Sequence, residues 1–208
     1  MVDRPDSDLA STRAGWDRAY VEGGAPWDIG RPQRAFVSLA EAGEIRSPVL
    51  DSGCGTGEQA LMLAEAGLEV VGVDISPTAV SRAKAKAARR SLAVEFMVGD
   101  VLELGRLSRR FATIVDAGTF HTFNDHDRVR YVSSLAAALE PGGELHLLCF
   151  SDRVPGLVGP RRIAQVELRA AFAAGWHVER IDDAHFEVSP DFPIVGPHAW
   201  LASVVRQA

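Results

Sequence analysis

The run PVLDSGCGTGEQALMLAEAG, residues 48–67, constrains the fold more than any other stretch. Gly53, Gly55 and Gly57 stand at alternate positions between a short apolar run, Pro48 to Asp51, and an Ala/Leu-rich segment, Gln59 to Ala66. That segment stops at Gly67, as a helix does at a glycine C-cap. Glycine at this density adds to the entropy lost on folding, so the turn must need a bare backbone. A strand, a glycine turn and a helix in succession are the opening unit of a parallel sheet.

The alternation continues. LEVVGVD (68–74) reads as a β-branched strand ending on an acid, and Pro77 to Arg90 as a helix with Ser76 as N-cap and Pro at the first helical position. LAVEFMVGD (92–100) and FATIVDAG (111–118) are the third and fourth strands. Arg128 to Leu139 is helical and stops at EPGG (140–143), before a fifth strand, ELHLLCF (144–150). A helix from about Arg161 to Ala174 follows, then two β pieces, WHVERIDDAHFEV (176–188) and AWLASVVRQ (199–207). With no helical spacer, those two pieces must pair antiparallel. Residues 1–47 read as a cap: a helix from Thr12 to Glu22, a loop GGAPWDIGRPQ (23–33), then a helix to about Glu41. The expectation is one α/β domain, 1–208, with a seven-stranded, mostly parallel sheet, an antiparallel edge and a helical cap.

Composition narrows the class. A net charge of −6 with scattered arginine pairs offers no basic face for nucleic acid. No apolar run approaches the ~18 residues of a membrane span. The start, MVDRPDSDLA, lacks the basic and apolar parts of a signal peptide. Two distant cysteines, Cys54 and Cys149, match no metal spacing and fit a reducing, cytoplasmic setting. Cys54 reads as a small buried filler before a nucleophile.

In an open parallel sheet, ligands sit beyond the carboxyl ends of the strands. Here those ends carry Asp51, Asp74, Asp100 and Asp116. One such Asp is ordinary turn chemistry; four in succession on one rim are not. Asp74 lies 19 residues beyond Gly55, where a carboxylate can accept both hydroxyls of a ribose. A nucleoside is therefore expected over the glycine loop, with Asp100 at the adenine edge and Val101 against the ring. Dinucleotide loops read G-x-G-x-x-G, whereas this one reads G-C-G-T-G and runs straight into Glu58. Carboxylates at Asp51 and Glu58 disfavour a pyrophosphate. They suit a ligand with an amine and a sulfonium, as S-adenosylmethionine has.

VLDSGCGTG, VVGVDIS and FMVGDV resemble the first three motifs of the class I S-adenosylmethionine-dependent methyltransferases, a likeness extending over residues 48–150. Ser52 departs from the apolar residue usual at its position. The resemblance implies a Rossmann-like fold, S-adenosylhomocysteine as product, no metal, and cofactor contacts from Asp51, Gly53, Cys54, Gly55, Gly57, Asp74, Ile75, Asp100, Val101, Asp116 and Ala117. PWDIGRPQ (26–33) resembles the thiopurine and tellurite-resistance group, which implies Trp27 against the methionine part of the cofactor. Trp27 could also be a staple of the cap. With DAGTFHTF and PGGELHLL, the whole chain is most similar to the mycobacterial heterocyclic toxin methyltransferases, which act on hydroxyquinolones and related aromatic heterocycles.

His121, five residues past the fourth strand end, is the candidate base or hydrogen-bond partner for the acceptor, or else a stacking group beside the cofactor. Asp116 is placed to cap the methionine amine. Arg31 is assigned to the methionine carboxylate or the acceptor, with a surface ion pair as the other possibility. Phe120, Phe123 and the loops 154–160 and 192–197 are expected to enclose a flat, apolar acceptor, though such aromatics serve equally as core. The leading expectation is O- or N-methylation of a small aromatic heterocycle by a monomer or homodimer. Thiol, thiopurine or tellurite methylation is the alternative. A dinucleotide-dependent oxidoreductase and a non-catalytic cofactor-binding protein rank lower.

Overall fold

The computed structural model describes residues 12–156 and 159–207. The first part of the expected cap, residues 1–11, and positions 157–158 of the 154–160 loop lie outside the described residues.

The cap consists of α1 (Arg13–Val21) and α2 (Arg34–Glu41). The core then runs β1 (Val49–Ser52), α3 (Glu58–Glu65), β2 (Val70–Asp74), α4 (Pro77–Arg90), β3 (Val94–Val98), a 3-10 segment (Val101–Leu107), β4 (Phe111–Ala117) and a 3-10 turn (Phe120–Thr122). It continues with α5 (Asp125–Ala138), β5 (Leu139–Phe150), α6 (Gln165–Ala171), β6 (Trp176–His185) and β7 (His198–Arg206). The seven strands form one sheet in the order β3-β2-β1-β4-β5-β7-β6. β1 to β5 are parallel, and β7 inserts antiparallel between β5 and β6. The chain reverses its direction of travel across the sheet between β1 and β4. Their carboxyl ends therefore splay apart there and leave a crevice.

Successive strand residues point to opposite faces, so each strand feeds two cores. Leu50, Ile114, Leu145 and Leu147 join Tyr131, Leu135, Leu168 and Phe172 beneath α5 and α6. Val49, Val115 and Leu148 join Phe36, Leu61, Val80 and Phe96 beneath α2, α3 and α4. No described helix is long and apolar enough to cross a membrane.

Three boundaries depart from sequence expectation. EPGG does end a helix, at Ala138, but it is drawn into β5 as that strand's first residues, and the register slips opposite Phe111–Thr113. Pro141 has no N–H to give, so a bulge is the form in which this segment can join a ladder. α5 starts earlier than Arg128, because the Asn124 side chain accepts from the Asp127 N–H at 2.8 Å and caps it. The expected helix from Arg161 starts only at Gln165. Ile163 instead bridges Ser151, and the Glu167 carboxylate holds the Ala164 N–H at 3.0 Å.

The cap is fastened at both ends. Asp17 of α1 accepts from the Ser76 hydroxyl at 2.5 Å and from the Thr78 N–H at 2.9 Å, at the first turn of α4. At the far end, the Gln33 amide pairs with both backbone groups of Glu187, at 2.8 and 2.7 Å. The Ser189 N–H adds a bond to the Pro26 carbonyl at 2.7 Å.

Gly57 closes the turn into α3 with φ +88°, and a Cβ there would meet Phe96 at 2.7 Å and Ala83 at 3.0 Å. Gly57→Ala is expected to cost roughly 2 kcal/mol or more, from left-handed strain and overpacking together. Urea unfolding checks this; an unchanged midpoint would mean that the turn has another conformation open to it.

Candidate active site

The crevice between β1 and β4 opens as a cleft. Its floor is the Gly53–Gln59 loop, its walls include Ala117 and Phe186, and its roof is the cap, through Tyr20, Trp27, Asp28, Ile29, Arg31 and Gln33. Gly53, Cys54, Gly55, Gly57, Ala117, Trp27 and Arg31 are all among its lining residues.

The loop is shaped by Asp74. One carboxylate oxygen accepts from the Gly55 N–H at 2.8 Å and the other from the Ser76 N–H at 2.8 Å. Burial raises the pKa of this carboxyl, against the two amide bonds that lower it. Ile75 follows, half-buried. Above the loop, Tyr20 stands so close that a Cβ on Gly55 would lie 2.7 Å from its hydroxyl, so glycine there lets the cap descend. The Trp27 indole N–H donates to that hydroxyl at 2.9 Å, and the Trp27 ring meets Trp16 and Tyr20 edge-on at 5.5 and 6.2 Å.

Asp51 is fully buried. Its Oδ2 accepts from the Ala60 N–H at 3.1 Å, but its Oδ1 has no partner. Burial pushes its pKa up to about 7, and the nearby Asp74 and Asp116 charges add to the rise. A buried carboxylate oxygen without a donor is costly, which is why this carboxyl keeps its proton to a higher pH than an exposed one. Cys54 is buried beside it. Desolvation, then Asp51 and Asp74, hold the thiol well above its ordinary pKa, so it is a filler and not a nucleophile.

Several expectations are corrected. Asp116 does not face the cleft: it is fully buried and spent on structure. It accepts from the Thr119 N–H at 2.6 Å, the Phe120 N–H at 3.0 Å and the Tyr131 hydroxyl at 2.9 Å. Tyr131 reaches on to the Ser52 hydroxyl at 2.8 Å, which gives the departing Ser52 a role in joining β1 to the β4 loop. Phe120 is no acceptor contact either. It is fully buried, stacked on Phe172 at 5.8 Å with the Arg128 guanidinium over its face at 4.9 Å.

His121 cannot serve as a base. Its Nδ1 already accepts from the Phe150 N–H at 2.9 Å, so its basic lone pair is used. Burial, with the Arg162 and Arg128 charges behind it, lowers its pKa to about 3. The ring is neutral and packed against Phe150 at 5.0 Å and Phe186 at 5.8 Å.

Arg31 is ion-paired with Glu187, the surface-pair alternative, while still lining the cleft. Asp100 is exposed and caps the 3-10 segment through the Leu102 N–H at 2.9 Å. With Val101, which is buried, it lies beyond the lining of the cleft. Glu58 does not confront a ligand as an open charge. It is buried and paired with Lys86 at 2.6 Å and Arg90 at 3.3 Å, so it carries little of the discrimination against phosphate assigned to it. Among the described residues no three His, Cys, Asp or Glu side chains cluster as metal ligands would.

Tyr20, Asp17, Gln33 and the Thr56–Asp28 pair (2.6 Å) were not singled out in the sequence. One signal was present: Trp16 and Tyr20 stand four apart on a short cap helix, and so share a face.

The comparisons agree with this geometry. A family model described as a methyltransferase domain matches residues 49–143. The 2-heptyl-1-hydroxyquinolin-4(1H)-one methyltransferase of Mycobacteroides abscessus is 37% identical over 169 residues, 80% of this chain and 74% of that protein. A solved structure described under the conversion of a disulfide bond into a thioacetal group during echinomycin biosynthesis is 38% identical. It superposes with a TM-score of 0.85 over 94% of this chain and 93% of the other. The 1,6-didemethyltoxoflavin-N1-methyltransferase of Burkholderia thailandensis, solved with 1,6-didemethyltoxoflavin and S-adenosylhomocysteine, shares the fold at 23% identity. Its TM-score is 0.76 over 100% of this chain and 94% of that one. With the glycine loop, the acid at the end of β2 and the sheet order, these likenesses establish that the chain belongs to the S-adenosylmethionine-dependent methyltransferases.

Proposed function

We propose that the cleft binds S-adenosylmethionine and that the protein methylates an oxygen or nitrogen of a small, flat aromatic heterocycle. The single observation that carries the cofactor assignment is Asp51 Oδ1, buried and unpartnered near the end of β1, just before the glycine loop that lines the cleft. It is fit to receive an ammonium group. The hydroxyquinolone named for the M. abscessus relative supports the acceptor class.

The bound cofactor supplies a methyl group on a cationic sulfur. The chain's own residues bind, orient and keep water away. The glycine loop admits the ligand close to its backbone. Each Asp74 oxygen accepts one internal bond and retains a lone pair for a ribose hydroxyl. Trp27 and Tyr20 close over the methionine end, where an aromatic face favours a sulfonium. Holding donor and acceptor in line, away from water, accounts for most of the acceleration such a transfer needs.

A sulfur acceptor is the second reading. It is favoured by the 38% identity to a protein whose described setting is a disulfide-to-thioacetal conversion.

Calorimetric titration with S-adenosylmethionine and S-adenosylhomocysteine tests the assignment, followed by methyl transfer to hydroxyquinolones and to thiols. Binding of both cofactor forms is expected. Binding of neither, with binding of a reduced nicotinamide nucleotide, would overturn it.

Asp74→Ala is expected to weaken cofactor binding by about 10- to 100-fold, the loss of two ribose hydrogen bonds. Unchanged affinity would remove Asp74 from the site.

Asp51 also gives the binding a pH dependence. Folding raises its pKa from 3.8 to about 7, so the stability linked to it is present below about pH 4 and lost as pH rises through about 7. The ligand-free protein should melt at lower temperature at pH 8 than at pH 6, while affinity for S-adenosylmethionine rises over the same interval. Asp51→Asn should raise the ligand-free melting temperature at pH 8, flatten the affinity profile, and weaken binding about tenfold or more there. A pH-independent affinity in the parent protein would contradict the ammonium assignment.

A further inference from the structure

Asp28 follows Trp27 in the roof of the cleft, which it lines half-buried. Its two oxygens are in different states. Oδ1 accepts from the Thr56 hydroxyl at 2.6 Å, and among the described residues Oδ2 has no partner. The direction of the Thr56 bond is fixed by what stands behind it. Lys86 Nζ, an ammonium with donors only, gives one hydrogen bond to Thr56 Oγ1 at 2.7 Å and another to Glu58 at 2.6 Å. The single hydroxyl proton of Thr56 must therefore point to Asp28. Thr56 is buried, so the chain from Lys86 through Thr56 to Asp28 is shielded from water. Its last link has the length of a hydroxyl bound to a carboxylate. Asp28 is thus an acceptor at both oxygens, one spent on the glycine loop and one open.

Among the described residues no other titratable group lining the cleft is in that condition. Glu58 is paired with Lys86 and Arg90, and Arg31 with Glu187. Burial, then the charge of Asp74, with that of Asp28 adding to it, holds the Tyr20 phenol well above its ordinary range. Burial does the same for the Cys54 thiol. That the Asp28 charge reaches Tyr20 also puts it beside the Tyr20–Trp27 pair, to which the sulfonium is assigned above.

Resting on that assignment, we infer that Asp28 is the catalytic base of the transfer, with Oδ2 taking the proton of a neutral O–H or N–H acceptor. The acceptor's lone pair forms the bond to the methyl carbon, the carbon–sulfur pair returns to sulfur, and the acceptor's proton passes to Oδ2. Thr56 stays on Oδ1 throughout and keeps the carboxyl in place over the glycine loop. The proton leaves to water with the product. An acceptor therefore has no need to arrive ionised.

The test uses the full chain, with a nitrophenol and a hydroxyquinolone as acceptors. Calorimetry with S-adenosylmethionine comes first. Asp28→Asn should bind it within about twofold of the parent protein, since the change removes a base and not a cofactor contact. A large loss of affinity would make Asp28 a cofactor ligand and overturn the inference. Next, kcat is followed against pH at saturating cofactor, across the ionisation of each acceptor. In the parent protein it should not track that ionisation. In Asp28→Asn it should fall about 100-fold or more where the acceptor is neutral, and recover as the pH passes the acceptor's own pKa, where no proton remains to be removed. A loss of the same size at every pH would mean a structural role, and an undiminished rate would mean none; either overturns the inference. So would a parent rate that tracks acceptor ionisation. Failure of the parent protein to bind S-adenosylmethionine would sink the cofactor reading itself, a result separate from the pH profiles. Cofactor binding with methylation of neither acceptor would overturn the base and the proposed acceptor class together.

Discussion

The Asp74 carboxylate is the knot of the structure. At the end of β2, one of its oxygens fixes the glycine loop at Gly55 and the other fixes the start of α4 at Ser76. Ser76 in turn gives its hydroxyl to Asp17 of the cap. One side chain thus joins floor, sheet and roof. The loop is also held by the Gly53 and Cys54 N–H groups on the Val73 carbonyl, and the cap by its far-end bonds to Glu187 and Ser189. Carboxylate-to-amide bonds are strong enough for this because they are charge-assisted and shielded from water.

That arrangement carries an electrostatic cost. Asp51, Asp74 and Asp116 are buried near one another, and burial raises all three pKa values. Asp116 is compensated internally by two amides and a tyrosine. Asp51 is half compensated, with Oδ1 left over. An unpaired buried acid beside the glycine loop would be relieved by a bound cation, and such a ligand would become part of the folded state's charge balance.

Much of this was legible in the sequence, because it is written in local chemistry. Glycines at alternate positions, β-branched runs ending on acids, and Ser76-Pro77 at a helix start each act within a few residues. They gave the sheet, its antiparallel edge and the loop. What was not legible depends on residues distant in sequence. The role of His121 is decided by a backbone N–H at Phe150, 29 positions away. Arg31 and Gln33 are decided by Glu187, more than 150 positions away. Asp116 looked like a rim acid among four, and only the fold brings Tyr131 to it. Glu58 looked like an open charge until α4 supplied Lys86 and Arg90. The late start of α6 has the same origin: Ile163 pairs with Ser151 before a helix can begin.

The most direct measurement is a crystal structure of the protein with S-adenosylhomocysteine bound. The ammonium group should lie within hydrogen-bond distance of Asp51 Oδ1, the ribose hydroxyls on Asp74, and the thioether beneath the Tyr20–Trp27 pair. An Asp51 Oδ1 that remains without a ligand contact in that complex, or a ribose bound away from Asp74, would contradict the assignment of the glycine loop and its two acids as the cofactor cradle.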